Sequence, residues 1–228
     1  MNLIQLDIDG TLVDSMPLEN ELYPKAVCET LGIKEIKSDW SAYTNPTDSG
    51  ILREVMREEL SQLCHPEHVE KCKESFLKLL GSQIENNPRA LSPIPGAIEF
   101  VEYLASHKQH KFAVNTGAWR ESAELKLATA GFDFSDWILY TCSEHEYKKE
   151  AMKFSHMAAR QEYGGDFENI LYIGDSRSDL RFANELDYEF LGRGEEYMSP
   201  NIWGVEGIKD FIDIRLVEGR INRAFQAT

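Results

Sequence analysis

From residue 92 onward the chain alternates helical segments with short apolar runs, and this rhythm constrains the fold more than any other feature of the sequence. Helical patterns lie near 97–107, 119–130, 148–163 and 177–186, and the runs between and after them are Lys111 to Asn115, Trp137 to Thr141, Asn169 to Gly174 and Glu189 to Gly192. Strands this short, bounded by helical crossovers, read as a parallel sheet covered on both faces. Gly131 stands just past the second helical pattern, where a left-handed cap is expected. One more strand stands apart at the start of the chain: Leu3 to Leu6, broken only by Gln5 and ending at Asp7-Ile8-Asp9-Gly10-Thr11.

Between that first strand and the alternating region, residues from about Pro17 to Pro88 are helical throughout. Leu18, Leu22, Val27 and Leu31, then Ile51, Leu52, Val55, Met56 and Leu60, then Val69, Phe76, Leu79 and Leu80 mark three apolar faces. Breaks fall at Gly32, at Asn45-Pro46-Thr47-Asp48-Ser49-Gly50, at His65-Pro66 and at Asn86-Asn87-Pro88. The expected organisation is an α/β core with a parallel sheet, residues 1–15 and 92–228, interrupted by a helical insertion over 16–91. The insertion leaves from the C-terminal end of a strand, which is where open α/β sheets bind ligands.

A chain of 228 residues with 42% hydrophobic side chains can bury a sizeable core, so disorder is not the default. Its longest apolar runs fall far short of the ~20 residues that cross a bilayer, and no membrane partner is expected. Met1 leads directly into a strand with neither a basic segment nor an apolar leader, which predicts a cytoplasmic protein. Cys28, Cys64, Cys72 and Cys142 show no metal-binding or redox spacing and read as reduced thiols. A formal charge of −15 without any Lys/Arg run argues against nucleic acid. An anionic small substrate would therefore need a local positive pocket made by a metal ion, a lysine or backbone amides.

The chemistry-bearing residues collect at strand ends. Residues i and i+2 of a strand share a side, so Asp7 and Asp9 bring two carboxylates together, and Gly10 lets the chain turn away. Such a pair becomes tolerable if a divalent cation bridges it or one carboxyl keeps its proton; a solvated acidic turn is the plain alternative. Asp175 follows the run Ile170 to Ile173 in Gly174-Asp175-Ser176-Arg177-Ser178-Asp179, although Asp175 or Ser178 capping the next helix would also explain that segment. Phe112-Ala113-Val114 ends in Asn115-Thr116-Gly117, where Thr116 offers a hydroxyl. Lys148 and Lys149 open a helix, a position mildly unfavourable to cations, which points to a functional reason for one of them.

In the order Asp-x-Asp, Thr, Lys, Asp, these segments resemble the four motifs of haloacid-dehalogenase-superfamily hydrolases, and the resemblance covers essentially the whole chain. Motif spacing looks most like the phosphoglycolate-phosphatase-like branch, in which a helical cap is inserted between the first and second motifs. The resemblance implies a three-layer Rossmann-like core and a Mg2+-dependent phosphomonoester hydrolase acting on a small phosphorylated metabolite. It implies Asp7 as the nucleophile that forms an aspartyl-phosphate and Asp9 as general acid and base. Thr116 and Lys148 would hold phosphoryl oxygens beside the Gly10 and Gly117 turns. The Asp7 and Asp175 carboxylates with the Asp9 main-chain carbonyl would hold Mg2+, and Asp179 would orient that shell. The presence of Asp9 argues against dehalogenation and phosphonate cleavage. A sugar phosphomutase of the same superfamily and a catalytically silent binding module stay open, as does a monomer or a homodimer.

Two departures from the family pattern stand out: Gln5 in an otherwise apolar strand, read as an edge contact or a locally wet core, and a lysine motif without the Lys-Pro of many relatives. Lys148 is preferred to Lys149 because it comes first after the strand-end loop. His65 and His68 read as a solvated helix start, since no third metal ligand is evident. Trp40, Tyr43 and Trp119 are candidates for the cleft wall, with Asn45 beside them, while Trp203 reads as packing. The cap is expected to select the ester and leave phosphoryl transfer to the core.

Overall fold

The computed structural model of the chain describes residues 1–198 and 204–226; Trp203 lies outside them. Six parallel strands form one sheet: β1 (Asn2–Leu6), β2 (His110–Asn115), β3 (Leu139–Tyr140), β4 (Asn169–Gly174), β5 (Glu189–Arg193) and β6 (Glu206–Ile208). Their order is β3-β2-β1-β4-β5-β6. The chain winds outward from β1 through β2 to β3, then returns to the other side of β1 for β4. That reversal opens a crevice at the C-terminal ends of β1, β2 and β4. Leu6 is level with both Val114 and Ile173, so the polar residues after each strand emerge side by side.

Among the described residues there are eight α-helices: α1 (Met16–Leu31), α2 (Asp48–Leu60), α3 (Pro66–Asn86), α4 (Ala97–Ser106), α5 (Arg120–Thr129), α6 (Lys148–Tyr163), α7 (Arg177–Glu185) and α8 (Ile214–Ala224). The central strand is buried on both faces. Ile4 and Leu6 join the larger apolar cluster, and Leu3 packs with Ala113 and Ala159 on the side of α6. Within the insertion, Leu22, Tyr23, Ala26 and Val27 of α1 meet a face of α3 built from Cys72, Phe76 and Leu80. Burying each large side chain of that kind contributes about 1.5–3 kcal/mol. No helix among the described residues is long and apolar enough to cross a membrane.

Three features differ from the sequence expectation. Gln5 sits in the central strand with 0% exposure, so it is no edge contact. Its amide donates to the Met152 carbonyl of α6 at 2.9 Å and accepts from Asn115 at 3.0 Å, and Asn115 also donates to Ser155 at 3.1 Å. The strand expected over 137–141 shrinks to two residues. Trp137 leaves the sheet for an aromatic cluster with Phe112, Phe132 and Phe134, so its strand propensity is spent on ring packing at the sheet edge. Beyond Gly192 the sheet continues with β6 and α8. A three-residue strand gives no period to read, although Val217, Ile221 and Ala224 of α8 do carry helical spacing.

Candidate active site

Asp7 leaves β1 with its amide bonded to the Ile173 carbonyl at 3.0 Å, and the chain then turns sharply at Gly10, where φ is +70°. A side chain at Gly10 would also lie 1.9 Å from Asp175 Oδ2, so glycine is required twice over. Carboxylate oxygens of Asp7, Asp175 and Asp179 come within 4.8 Å of one another. Asp179 closes a capping box at the start of α7: its amide donates to Ser176 Oγ at 3.1 Å and its Oδ2 accepts from the Ser176 amide at 3.2 Å. Capping is thus done by Ser176 and Asp179, which leaves Asp175 facing the crevice.

Lys148, the first residue of α6, reaches into this group. Its ammonium lies 3.0 Å from Asp7 Oδ1 and 2.5 Å from Asp179 Oδ1, and 5.7 Å from the centre of the Tyr172 ring. Lys149 points outward and pairs with Glu185 at 2.6 Å. Of the two lysines, only Lys148 meets the strand-end carboxylates.

The electrostatics leave the carboxylates short of positive charge. Burial raises Asp7 to about 7, with Lys148 opposing and Asp179 and Asp9 adding to the rise. Burial, then Asp7 and Asp179, holds Asp175 well above the usual carboxylate range. Burial also disfavours the Lys148 charge, but Asp179 and Asp7 outweigh that and keep it a firm cation. Hard oxygen donors, close together and destabilised as anions by burial, fit a small divalent cation.

Asp9 points another way. Its Oδ1 accepts from Ser15 Oγ at 2.6 Å and meets Lys126 Nζ at 2.6 Å, while Oδ2 is 3.5 Å from the Thr116 hydroxyl. Its side chain therefore takes no part in the trio, to which the resemblance assigns only its main-chain carbonyl. Thr116 is buried, and its Oγ1 accepts from the Ala118 amide at 3.2 Å.

Lys126 was not singled out in the sequence. It lies on α5 with 0% exposure and forms a second 2.6 Å pair with Glu19 of α1. Burial opposes its charge, yet Asp9, Glu19 and Asp48 raise it well above the ordinary lysine value. A signal was present: position 126 falls within the buried stripe of Ser122, Ala123 and Leu127. The stretch around Asn45, read as a linker between helices, is instead stitched to the core. The Asp48 amide donates to the Gly117 carbonyl at 2.9 Å, and Asp48 Oδ2 accepts from the Trp119 amide at 2.8 Å. Asn45 and Thr47 both donate to the Glu146 carbonyl, at 2.9 and 2.8 Å.

Helix and sheet together line an open cleft of about 120 Å³. Asp7, Asp9, Thr116, Gly117, Lys148 and Asp175 line its floor, and Glu19, Tyr23, Trp40, Asp48 and Ile51 are on its insertion side. Among the aromatic candidates for the wall, Trp40 lines the cavity. Tyr43 is buried elsewhere with its hydroxyl on the Lys37 carbonyl, and Trp119 is buried against Tyr23 and Phe76 with its indole N–H on Ser49. Asn45 is absent from the wall as well, because its amide is occupied by Glu146.

Neither histidine group offers a metal site. His65 and His68 close the start of α3, with the His65 amide donating to His68 Nδ1 at 3.0 Å. His107, His110 and Glu218 cluster at the opposite end of the sheet from the cavity. There the His107 and His110 rings stack with a 13° interplanar angle, so their in-plane lone pairs do not converge. The His107 Nδ1 also accepts two backbone N–H groups, which places the neutral ring's proton on Nε2.

A family model described as haloacid dehalogenase-like hydrolase matches residues 1–187. No curated protein matches the chain. Among solved structures, a hydrolase from Pseudomonas syringae is similar at 18% identity and a TM-score of 0.72, over 97% of this chain and 99% of that one. A protein described as a predicted phosphoglycolate phosphatase from Haemophilus somnus is 17% identical, with a TM-score of 0.62 over 95% and 97% of the two chains. The β-phosphoglucomutase of Clostridium difficile is 14% identical, with a TM-score of 0.69 over 98% of each chain. At such identities the shared property is the fold.

Proposed function

Because the chain belongs to the haloacid dehalogenase-like hydrolase family, we propose that it is a Mg2+-dependent phosphomonoester hydrolase working through an aspartyl-phosphate on Asp7, with residues 16–91 acting as its cap. The observation that carries this reading is the division of labour between the two aspartates of one turn. Asp7 stands with Asp175, Asp179 and Lys148, whereas Asp9 is turned aside onto Ser15 and Lys126. Each has a lysine beside it, Lys148 at 3.0 Å from Asp7 and Lys126 at 2.6 Å from Asp9, so the difference lies in company: in this reading Asp7, grouped with two further carboxyls, receives the phosphoryl group, and Asp9, set apart from them, handles the proton.

In this reading Asp7 attacks phosphorus as the ester oxygen departs, and the new acyl-phosphate bond is later broken by water. Asp9 Oδ1 is tied by its two partners, so the loosely held Oδ2 is the atom that gives a proton to the leaving alkoxide and later takes one from water. Lys148 and the Thr116 hydroxyl hold phosphoryl oxygens, in place before the charge moves. The carboxylates of Asp7 and Asp175 with the Asp9 main-chain carbonyl would hold Mg2+, with Asp179 bracing them, and the ion would supply neutralisation of phosphoryl charge. The insertion closes over the strand ends and keeps bulk water out.

Hydrolysis of acetyl phosphate and p-nitrophenyl phosphate with Mg2+, and its loss with EDTA, tests the reading. Asp7→Asn abolishes turnover, and Asp9→Asn slows it by about two to four orders of magnitude. Equal, mild defects contradict the two roles. Interconversion of sugar phosphates without release of phosphate identifies a mutase, and silence across a broad panel identifies a binding module.

A further inference from the structure

We infer that Lys126 and Glu19 are positioning residues for the Asp9 carboxyl, so that the insertion takes part in protonating the leaving group as well as in covering the cleft. The inference rests on the reading of Asp9 as the proton-handling group and adds the two residues that aim it. A general acid works only when the oxygen carrying its proton stands within hydrogen-bond reach of the departing atom, about 2.6–3.2 Å. As the bond from phosphorus to the ester oxygen breaks, its electron pair stays on that oxygen and the proton on Asp9 Oδ2 moves to it. Asp9 stands in the turn beyond β1, and the direction of its carboxyl is set by the groups that hold Oδ1.

Oδ1 is gripped from the first turn of α1 by two routes. Ser15 Oγ donates to it directly at 2.6 Å, and Glu19, whose amide donates to the Ser15 carbonyl at 2.9 Å, reaches it through Lys126. The Lys126 ammonium lies 2.6 Å from Asp9 Oδ1 and 2.6 Å from Glu19 Oε1. Ser15 occupies the N-cap position of α1, yet its hydroxyl makes no capping bond and is used on Asp9 instead. With Oδ1 so held, Oδ2 is left toward the Thr116 hydroxyl, 3.5 Å away on the floor of the cleft.

The placement of Lys126 shows which groups its charge serves. It is fully buried and lies behind the cleft, which Asp9 and Glu19 both line. Position 126 continues the buried stripe of Ser122, Ala123 and Leu127, where a hydrocarbon side chain would pack without the desolvation that a buried ammonium costs. A long side chain bonded to Asp9 alone would keep several rotamers, and the second partner, Glu19, pins the ammonium in one. Glu19 belongs to the insertion and Asp9 to the core. Removing the Glu19 carboxylate therefore loosens the acid while Lys148 and Thr116, which hold the phosphoryl oxygens, keep their own contacts.

Leaving groups of different acidity test the inference, because a good one departs without a proton and a poor one needs it. The substrates are acetyl phosphate, p-nitrophenyl phosphate and phenyl phosphate, in order of rising need, each with Mg2+. The quantity compared is kcat/KM, which covers only the steps through departure of the leaving group, so later hydrolysis of the aspartyl-phosphate does not enter. Lys126→Met should lower it about tenfold to hundredfold for phenyl phosphate and less than about threefold for acetyl phosphate, the size of loss that a displaced catalytic group brings. Glu19→Gln, in which Lys126 still holds Asp9, should give the same pattern at about threefold to tenfold for phenyl phosphate. General damage to the fold lowers all three substrates alike. Parallel losses, or none, therefore overturn the inference, while turnover by the natural chain keeps the phosphatase reading. Should Lys126→Met fail to fold, Glu19→Gln decides. Crystal structures of the natural chain and of Glu19→Gln judge the positioning without turnover: the Asp9 carboxyl should rotate off Thr116 or take two conformations in the variant, and an unchanged Asp9 overturns the inference. If the natural chain turns over none of the three substrates, the phosphatase reading fails, and the crystal comparison alone decides whether Lys126 and Glu19 aim Asp9.

Discussion

Replacing Lys126 with methionine removes a buried ammonium that has two carboxylate partners at 2.6 Å. Methionine keeps most of the aliphatic volume, so the loss is one of charge. Glu19 and Asp9 are only 13% and 17% exposed, which means that solvent screens them poorly once their shared partner is gone. Removing one member of a buried ion pair costs about 3–5 kcal/mol, because a charge is left without compensation. With a urea m-value of about 3 kcal/mol/M, the unfolding midpoint falls by about 1–1.7 M, and Tm falls by about 6–20 °C. Adding Glu19→Gln removes one of the two stranded charges, so the double variant should recover part of the loss, with a coupling of about 1–3 kcal/mol. Urea unfolding followed by circular dichroism measures all of these quantities. A midpoint shift below about 0.3 M, or strict additivity in the double variant, would refute the claim that the three groups act as one buried unit.

Gly10→Ala forces a Cβ into Asp175 at a positive φ, so it should abolish Mg2+-dependent turnover while the far-UV spectrum stays native; retained activity would remove Gly10 from the site. Lys148→Ala should lower kcat/KM by about two to three orders of magnitude, and Lys149→Ala should leave it nearly unchanged, with the reverse ranking shifting the phosphate contact by one residue. Burial moves the Asp7 carboxyl from 3.8 to about 7, so the unfolded chain releases that proton first and the metal-free protein loses stability as pH rises from about 4 to about 7. Mg2+ prefers the ionised carboxylate and should offset that loss, widening the Tm difference between Mg2+ and EDTA samples from pH 5 to pH 8; a constant difference contradicts the assignment.

Much of the floor of the cavity was legible because its signals are local. Asp7, Thr116, Lys148 and Asp175 each follow a strand in the chain, and a parallel sheet delivers all such positions to one edge. The insertion side was far less legible. Lys126 is 117 residues from Asp9 and 107 from Glu19, and only the folded chain brings α5 to the turn after β1 and to the start of α1. A lysine inside an otherwise buried helical stripe was the one local hint. Tyr43, Asn45 and Trp119 misled for a related reason. Residue type suggested the cleft, but each had a competing use in packing or in bonding the insertion to the core, and such uses cannot be read from spacing. Gln5 broke the apolar pattern of β1 because its partners, Asn115 and the Met152 carbonyl, lie more than one hundred residues away.

That hydrogen-bonded row ties three distant positions together. Gln5, Asn115 and Ser155 come from β1, β2 and α6, and each supplies a partner that another would lack if it were exchanged alone. Leucine at position 5 takes from the Asn115 amide one of its two acceptors and leaves the Met152 carbonyl with the Ser155 hydroxyl as its side-chain donor, and a change at Asn115 deprives the Gln5 carbonyl oxygen of its donor. A single exchange passes through a less stable form, so the three positions are coupled in stability, and a change at one is tolerated best when the others change with it.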